Sequence, residues 1–364
     1  MKKFFLIAFC ILSFGQALKA QACLDSNIVL TSQAQVDSFK ILYPDCNILP
    51  GDFEIEFADI TNFDSMSHII EVHGRLKLSV NDSLKSFRGF NNITSIGILD
   101  LRSNDAIKDL SELNSLDSLG GLSFVGNGLK SLKGLEQIQY TGFVNISNNH
   151  SLINYDGLSG LKGVEFSFNN TRCNSLEDIS MPNLKYVKNI MRFDFMEKLT
   201  SLAGLENLES ARYFGVTKSP ILTDISAIQN LTVNILEFIE NPSLTSCATE
   251  MVCRHISADD ALFRDNGVGC DSTAIVEMAC TALSTKPIQN SSLISVYPNP
   301  SFGEIQIKTE DILIDNIEVF NSFGQLVLST AFTPSLDLSG FSKGYYLVVL
   351  SRDGERFLKK VVIH

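Results

Sequence analysis

Between Ile55 and Phe238 one arrangement of apolar and polar positions recurs nine times: apolar-x-apolar-x-x-Asn-x-x-apolar-x-x-apolar-x-x-apolar. A clear copy is Leu76-Lys77-Leu78-Ser79-Val80-Asn81-Asp82-Ser83-Leu84-Lys85-Ser86-Phe87-Arg88-Gly89-Phe90. The second apolar residue of each copy falls at Ile55, Leu78, Leu101, Phe124, Ile146, Phe166, Phe193, Val216 and Phe238, giving spacings of 23, 23, 23, 22, 20, 27, 23 and 22. One such unit cannot bury its own apolar residues, whereas stacked units align them into a continuous core, so a period near 22 predicts a β-rich solenoid of about nine coils over residues 53–246. Alternation such as Leu99-Asp100-Leu101 or Val144-Asn145-Ile146 predicts a strand with one face inward. Ile107, Leu110 and Leu113 after Leu101, and Leu199, Leu202 and Leu205 after Phe193, are expected to turn inward on the return path. Asn81, Asn104, Asn127, Asn149, Asn169 and Asn241 stand three places after their anchors, where a short amide can bond backbone at a turn. Ala58, Met196 and Ser219 interrupt that series.

Outside the repeat the pattern changes. Before it, a short helix is expected between Thr31 and Pro44, with Val36, Phe39 and Leu42 on one side. After it, residues 281–295 are polar and read as a linker, with Ser284-Thr285-Lys286-Pro287 and Gln289-Asn290-Ser291-Ser292. Residues 296–364 then carry short alternating runs at Glu304–Lys308, Ile317–Phe320, Leu326–Leu328, Tyr345–Leu350 and Phe357–Ile363. About seven strands separated by turns predict a small antiparallel sandwich.

Composition adds the compartment. The first twenty-odd residues have Lys2-Lys3, an apolar run from Phe4 to Phe14 and small residues at Ala20 and Ala22, the layout of a secretory signal taken here as 1–22. Cleavage after Ala20 and after Ala22 fit equally; a lipoprotein site at Cys23 is a weaker alternative. The formal charge of -12 argues against nucleic acid and anionic membranes as main partners. No later apolar run reaches the 18 residues of a membrane span.

Seven of the eight cysteines lie beyond Cys10 and point to an oxidising compartment. Cys23 and Cys46 bracket residues 23–52, and a bridge between them would fasten an N-terminal cap. Cys247, Cys253, Cys270 and Cys280 cluster in residues 247–280, a C-terminal cap. They allow three connectivities, of which Cys247 with Cys270 and Cys253 with Cys280 is preferred; zinc is the alternative, but gaps of 5, 16 and 9 residues lack paired short ligand spacing. Cys173 is left over, inside the 27-residue spacing, as a half-buried thiol or an intermolecular bridge.

Two resemblances follow from these residues. Tyr297-Pro298-Asn299-Pro300 with Gly303, then Asn321-x-x-Gly324, then Gly344-Tyr345-Tyr346 and the closing Lys359-Lys360-Val361-Val362-Ile363, resemble the C-terminal sorting domain of type IX secretion cargo. That resemblance implies an immunoglobulin-like sandwich read by the outer-membrane exporter, a sortase that attaches the passenger to surface lipopolysaccharide, and a Gram-negative bacterial origin. The capped repeat region, with Leu132-Lys133-Gly134-Leu135 and Leu202-Ala203-Gly204-Leu205, resembles receptor L-domain-like and leucine-rich-repeat proteins. Here the resemblance implies a right-handed superhelix, a horseshoe or a single-stranded β-helix in section.

Candidate chemistry is sparse. With anchors inward, the outward face carries Glu54, Lys77, Asp100, Arg102, Glu165, Arg192, Asp194 and Glu237, mixed in charge and without an aromatic residue. His68 and His73, five apart, fall on opposite faces of any shared strand. No serine elbow, phosphate loop or paired zinc motif is present. Asp64-Ser65-Met66, Asp82-Ser83-Leu84 and Asp117-Ser118-Leu119 resemble a bacterial O-glycosylation signal, with Ser65, Ser83 and Ser118 as acceptors; ordinary turn chemistry explains them equally. The expectation is a non-enzymatic, cofactor-free protein at the cell surface or outside the cell, binding a protein or glycan. A structural surface-layer component is the alternative, and a hydrolase the remote third.

Overall fold

The computed structural model describes residues 21–22, 27–256, 260–283, 294–309, 313–321, 326–352 and 355–364. The expected signal segment up to Ala20, Cys23, Gly324 and most of the expected linker lie outside them. The chain divides into two compact units, Met1–Glu277 and Met278–His364.

The first unit is built on a 15-stranded sheet whose strands pair in parallel. Ten strands form successive rows: Phe53–Glu56, Glu71–Ser79, Ser95–Arg102, Ser118–Val125, Phe143–Ser147, Ser167–Thr171, Tyr186–Asp194, Ser210–Thr217, Ile235–Ile239 and Ala261–Arg264. Alternation decides the faces. Ile55, Leu78, Leu101, Phe124, Ile146, Phe193, Val216, Phe238 and Phe263 are buried, as are the residues two places earlier, from Phe53 through Leu76 and Leu99 to Leu236. The return path closes the core with Phe87, Leu110, Leu113, Leu132, Leu202 and Ile225.

Register corrects the sixth anchor. Asn170 pairs with Ile146 on one side and Phe193 on the other, and Phe168 with Val144 and Met191. Phe166, expected inward, is 64% exposed. The spacings around row six are therefore 24 and 23 rather than 20 and 27, so no unit is unusually long. A tenth row at Phe263, paired with Phe238, occupies what was expected to be only a disulfide cap.

Two residues after every anchor the backbone turns left-handed. Phe57, Val80, Ser103, Gly126, Asn148, Arg172, Phe195, Lys218, Glu240 and Asp265 all have φ between 49 and 66°. Only Gly126 adopts this without a side-chain penalty. The turn keeps hydrogen bonding alive past the strand end: Phe57 N–H donates to the Ser79 carbonyl at 3.0 Å, Val80 to Arg102 at 2.9 Å, and Arg172 to Asp194 at 2.9 Å.

The next residue carries the amide ladder. Asn104 Oδ1 accepts from the Asn81 N–H at 3.2 Å, while Asn104 Nδ2 donates to the carbonyls of Leu78 at 2.9 Å and Arg102 at 3.0 Å. Asn127, Asn149, Asn241 and Asn266 repeat the motif. Each amide satisfies groups of two rows and is fully or nearly fully buried. Asn169, expected in the ladder, lies on the outward face beside Asn145 and Arg192. Its place is taken by Cys173, whose thiol lies 3.9 Å from the Thr171 carbonyl, the i−2 partner that Asn81, Asn104 and Asn149 also use.

Ends are closed by helices. α1 (Gln33–Leu42) starts at Ser32, whose Oγ accepts from the Gln35 N–H at 3.4 Å. Val36 and Phe39 face the core, but Leu42 is 66% exposed. Beyond row nine come α2 (Glu250–Ile256), row ten and α3 (Thr273–Leu283). Cys247 and Cys270 form a disulfide with 5.7 Å between Cα atoms, and Cys46, Cys253 and Cys280 are also disulfide-bonded.

The second unit has two antiparallel sheets: Ile294–Tyr297, Glu304–Thr309 and Ser335–Asp337; and Leu326–Ala331, Asn316–Phe320, Gly344–Arg352 and Glu355–Ile363. Ile305, Ile307, Leu336 and Leu338 from the first share one apolar cluster with Ile317, Val319, Val348, Leu350 and Val361 from the second.

Candidate functional site

The outward residues of the ten rows stand in columns. One column reads Glu54, Lys77, Asp100, Ser123, Asn145, Asn169, Arg192, Gly215, Glu237 and Leu262. The next reads Glu56, Ser79, Arg102, Val125, Ser147, Thr171, Asp194, Thr217, Ile239 and Arg264. Seven of the eight expected face residues occupy these columns; Glu165 does not. It sits between the strand segments Gly163–Val164 and Ser167–Thr171, bonded to Tyr186 Oη at 2.8 Å and paired with Lys188. Those two bonds hold its carboxyl below the usual carboxylate range, Lys188 contributing most.

Charge is paired within the face. Lys77 bridges Glu56 and Glu54, and chiefly the Glu56 bond raises its ammonium above the usual value. Asp100 is only 1% exposed because Arg75 and Arg102 enclose it at 3.1 and 2.9 Å. At the other end Arg192 pairs with Asp194 at 2.8 Å, Thr217 Oγ1 donates to Asp194 at 2.6 Å, and Tyr213 Oη donates to Glu237 at 2.6 Å. Burial, then Glu237, pushes the Tyr213 phenol up. Rows four to six carry no charge in either column.

Sequence reasoning missed a third column. The strands run one alternation further toward their N-terminal ends, up to a bulge, adding Arg75, Ile98, Gly121, Phe143, Ser167, Ile190, Tyr213 and Ile235. A Cβ on Gly121 would meet the Phe143 ring at 2.3 Å, and one on Gly215 the Tyr213 ring at 2.7 Å, so these rings lie flat on glycines. The face therefore does present aromatic residues, with exposed Phe166 and Tyr140 beside them. A groove of about 350 Å³ follows the bulge, lined by Asp52, His73, Arg75, Ile98, Phe143 and Phe166 over backbone of Gly74, Gly97, Gly120 and Gly142. Only the recurring glycines, 22 to 23 apart, could have signalled it.

Other candidates separate. His73 bonds Glu71 at 2.7 Å on an exposed strand, while His68 lies against Phe39 at 6.3 Å. Ser83 and Ser118 are exposed and Ser65 is half-buried in a short 3-10 turn. Met66, Leu84 and Leu119, which follow them, are buried core residues, so the core already requires the apolar part of that motif.

In the second unit the separate sorting-motif pieces come together. Asn299 Nδ2 donates to the Lys360 carbonyl at 2.6 Å and its Oδ1 accepts from Val362 N–H at 2.9 Å. Ser301 N–H donates to the Val362 carbonyl at 2.8 Å, and Lys360 Nζ lies 4.2 Å from the Tyr345 ring centre. Tyr297 and Lys360 remain exposed, and Lys359 is half-buried. Pro298 and Pro300 both follow cis bonds. Gly303 has φ of 130°, where a Cβ would meet Ser339 Cα at 2.5 Å, and Gly344 has φ of 153°.

Among the described residues no helix is long and apolar enough to cross a membrane. No curated protein matches the chain. Residues 295–364 match the model of the secretion system C-terminal sorting domain. This region therefore engages the type IX machinery and directs export across the outer membrane to the cell surface or the extracellular space.

Proposed function

We propose that the exported cargo is a non-enzymatic binding or adhesion module: a right-handed, leucine-rich-repeat-like superhelix of L-domain type that recognises a protein or glycan. The observation that carries this reading is the neutral middle of the outward face. Asn169 and Thr171 offer amide and hydroxyl groups with no side-chain partner among the described residues, next to Phe143 on Gly121, while the charges to either side are already paired. Rigid strands hold these groups at fixed spacing, which lowers the ordering cost of recognition. The tail, as an immunoglobulin-like sandwich, hands the protein to the exporter, and a sortase then joins it to lipopolysaccharide.

The test offers the purified full chain to arrays of glycans and envelope proteins. Binding should fall at least tenfold in Phe143→Ala and Asn169→Ala but not in Lys198→Ala, which lies on the return path. Failure to bind anything while folded sinks the proposal, and a weakened envelope in cells lacking the protein would then support a structural spacer. Separately, deleting residues 296–364 should leave the protein in the periplasm; surface display of the shortened chain would refute the export role.

A further inference from the structure

Row six holds an asparagine where the other nine rows hold an apolar anchor. Asn170 is fully buried, between Ile146 and Phe193, and no partner meets its Oδ1 or Nδ2 with good hydrogen-bond geometry, the Cys173 thiol being a weak neighbour of its side chain. Across the core stands Tyr155, also fully buried, with an unpartnered Oη. Its ring meets Phe168, two residues before Asn170, edge-on at 5.6 Å. The buried Cys173 thiol faces both Asn170 and Tyr155. Two adjacent rows thus bring three polar side chains together among apolar core residues such as Val144, Leu158, Val164 and Phe168.

Native interiors leave very few such groups unsatisfied. Asn170 supplies two N–H donors and an acceptor, and Tyr155 supplies one donor and an acceptor. The cluster contains no carboxylate, so it has nothing to neutralise a cation. A water molecule, with two donors and two acceptors, matches a neutral amide, phenol and thiol, and buried waters typically take two to four such partners. We propose that rows five and six bind one ordered water that bridges Tyr155 Oη and the Asn170 amide. The water lies beside the place where Cys173 replaces the laddered asparagine.

The test is a crystal structure of the full chain together with a double-mutant cycle of Tyr155→Phe and Asn170→Leu. Solvent density within about 2.6 to 3.2 Å of both Tyr155 Oη and an Asn170 amide atom is expected. Each single variant leaves the other group stranded and should lower the folded-to-unfolded ratio about tenfold. The double variant, lacking both groups, should lose clearly less than the product of the two. Absent density, a direct Tyr155–Asn170 bond or strictly multiplicative losses would overturn the proposal. The wild-type density decides the matter even if a variant does not fold.

Discussion

Rows two to five and rows six to eight have the same strand register and the same left-handed turn, yet they are held together differently. In the earlier rows Asn81, Asn104, Asn127 and Asn149 bond from row to row through buried amides. In rows six to eight the ladder lapses at Cys173, Met196 and Ser219, and it resumes at Asn241 and Asn266. From row six onward a file of rings runs through Phe168, Phe193, Phe214, Phe238 and Phe263, with successive centroids 5.9, 6.4, 6.3 and 5.5 Å apart. The comparison separates two duties. Amides bond in one register only and therefore specify it, whereas rings supply apolar area and tolerate small shifts.

The largest test of that division is truncation within each file. Phe193→Ala should cost about 4 kcal/mol as a cavity in the ring file. Asn104→Leu should cost about 3 kcal/mol because it strands the Asn81 N–H and the Leu78 and Arg102 carbonyls. Met196→Leu, at the equivalent position of the apolar file, should cost less than about 1.5 kcal/mol. Urea midpoints measure all three, and equal losses for Asn104→Leu and Met196→Leu would break the comparison.

A second test concerns Cys173, the substituted rung. Burial pushes its thiol up to about 11 from an ordinary value of 9.0, and burial pushes the Tyr155 phenol up as well. Below pH 9 both states hold the thiol proton. Between 9 and 11 the unfolded chain releases it first, so the thiol's contribution, on the order of 2 kcal/mol, is lost as pH rises. Cys173→Ala should flatten that alkaline slope in a series of denaturation curves. An unchanged slope would mean that the thiol is not the titrating group.

The turn shared by both regions gives the third. A Cβ at Gly126 has open space, its nearest contact being Ser103 Oγ at 3.8 Å, so Gly126→Ala should cost about 1 kcal/mol purely through φ. Val80→Asn should gain up to about 1 kcal/mol, because a β-branched residue is poorly suited to φ of 53°. Opposite signs in thermal melts are expected. Smallest of all, Asp64→Asn breaks the exposed pair with Arg88 and should shift stability by less than about 1 kcal/mol.

Much of this framework was legible in the amino-acid pattern. Eight of nine anchors, the return-path leucines and most of the ladder follow from apolar spacing, because burial is what that spacing encodes. Row six misled for a physical reason. In Val164-Glu165-Phe166-Ser167-Phe168-Asn169-Asn170 a period of two fits both phenylalanines, and the true anchor is polar. Even unit length pointed to Asn170, against the pull of hydrophobicity. Row ten was hidden by its cysteines, which drew attention to cross-linking rather than to the alternation of Ala261-Leu262-Phe263-Arg264. The aromatic column is in the same alternation, and it escaped because the repeated motif begins at the inward residue just after it, Val144 after Phe143 and Phe214 after Tyr213.

The recurring left-handed turn also bears on how such a chain changes length over generations. Rows one to nine leave their strands by the same turn and donate to the next row from the same position, so the junctions between rows are interchangeable at the backbone. Removing or duplicating a whole unit by recombination restores the backbone bonds across the seam, whereas losing a few residues within a strand breaks them. Array length can therefore drift in whole units through folded intermediates, and selection on reach can act separately from selection on folding.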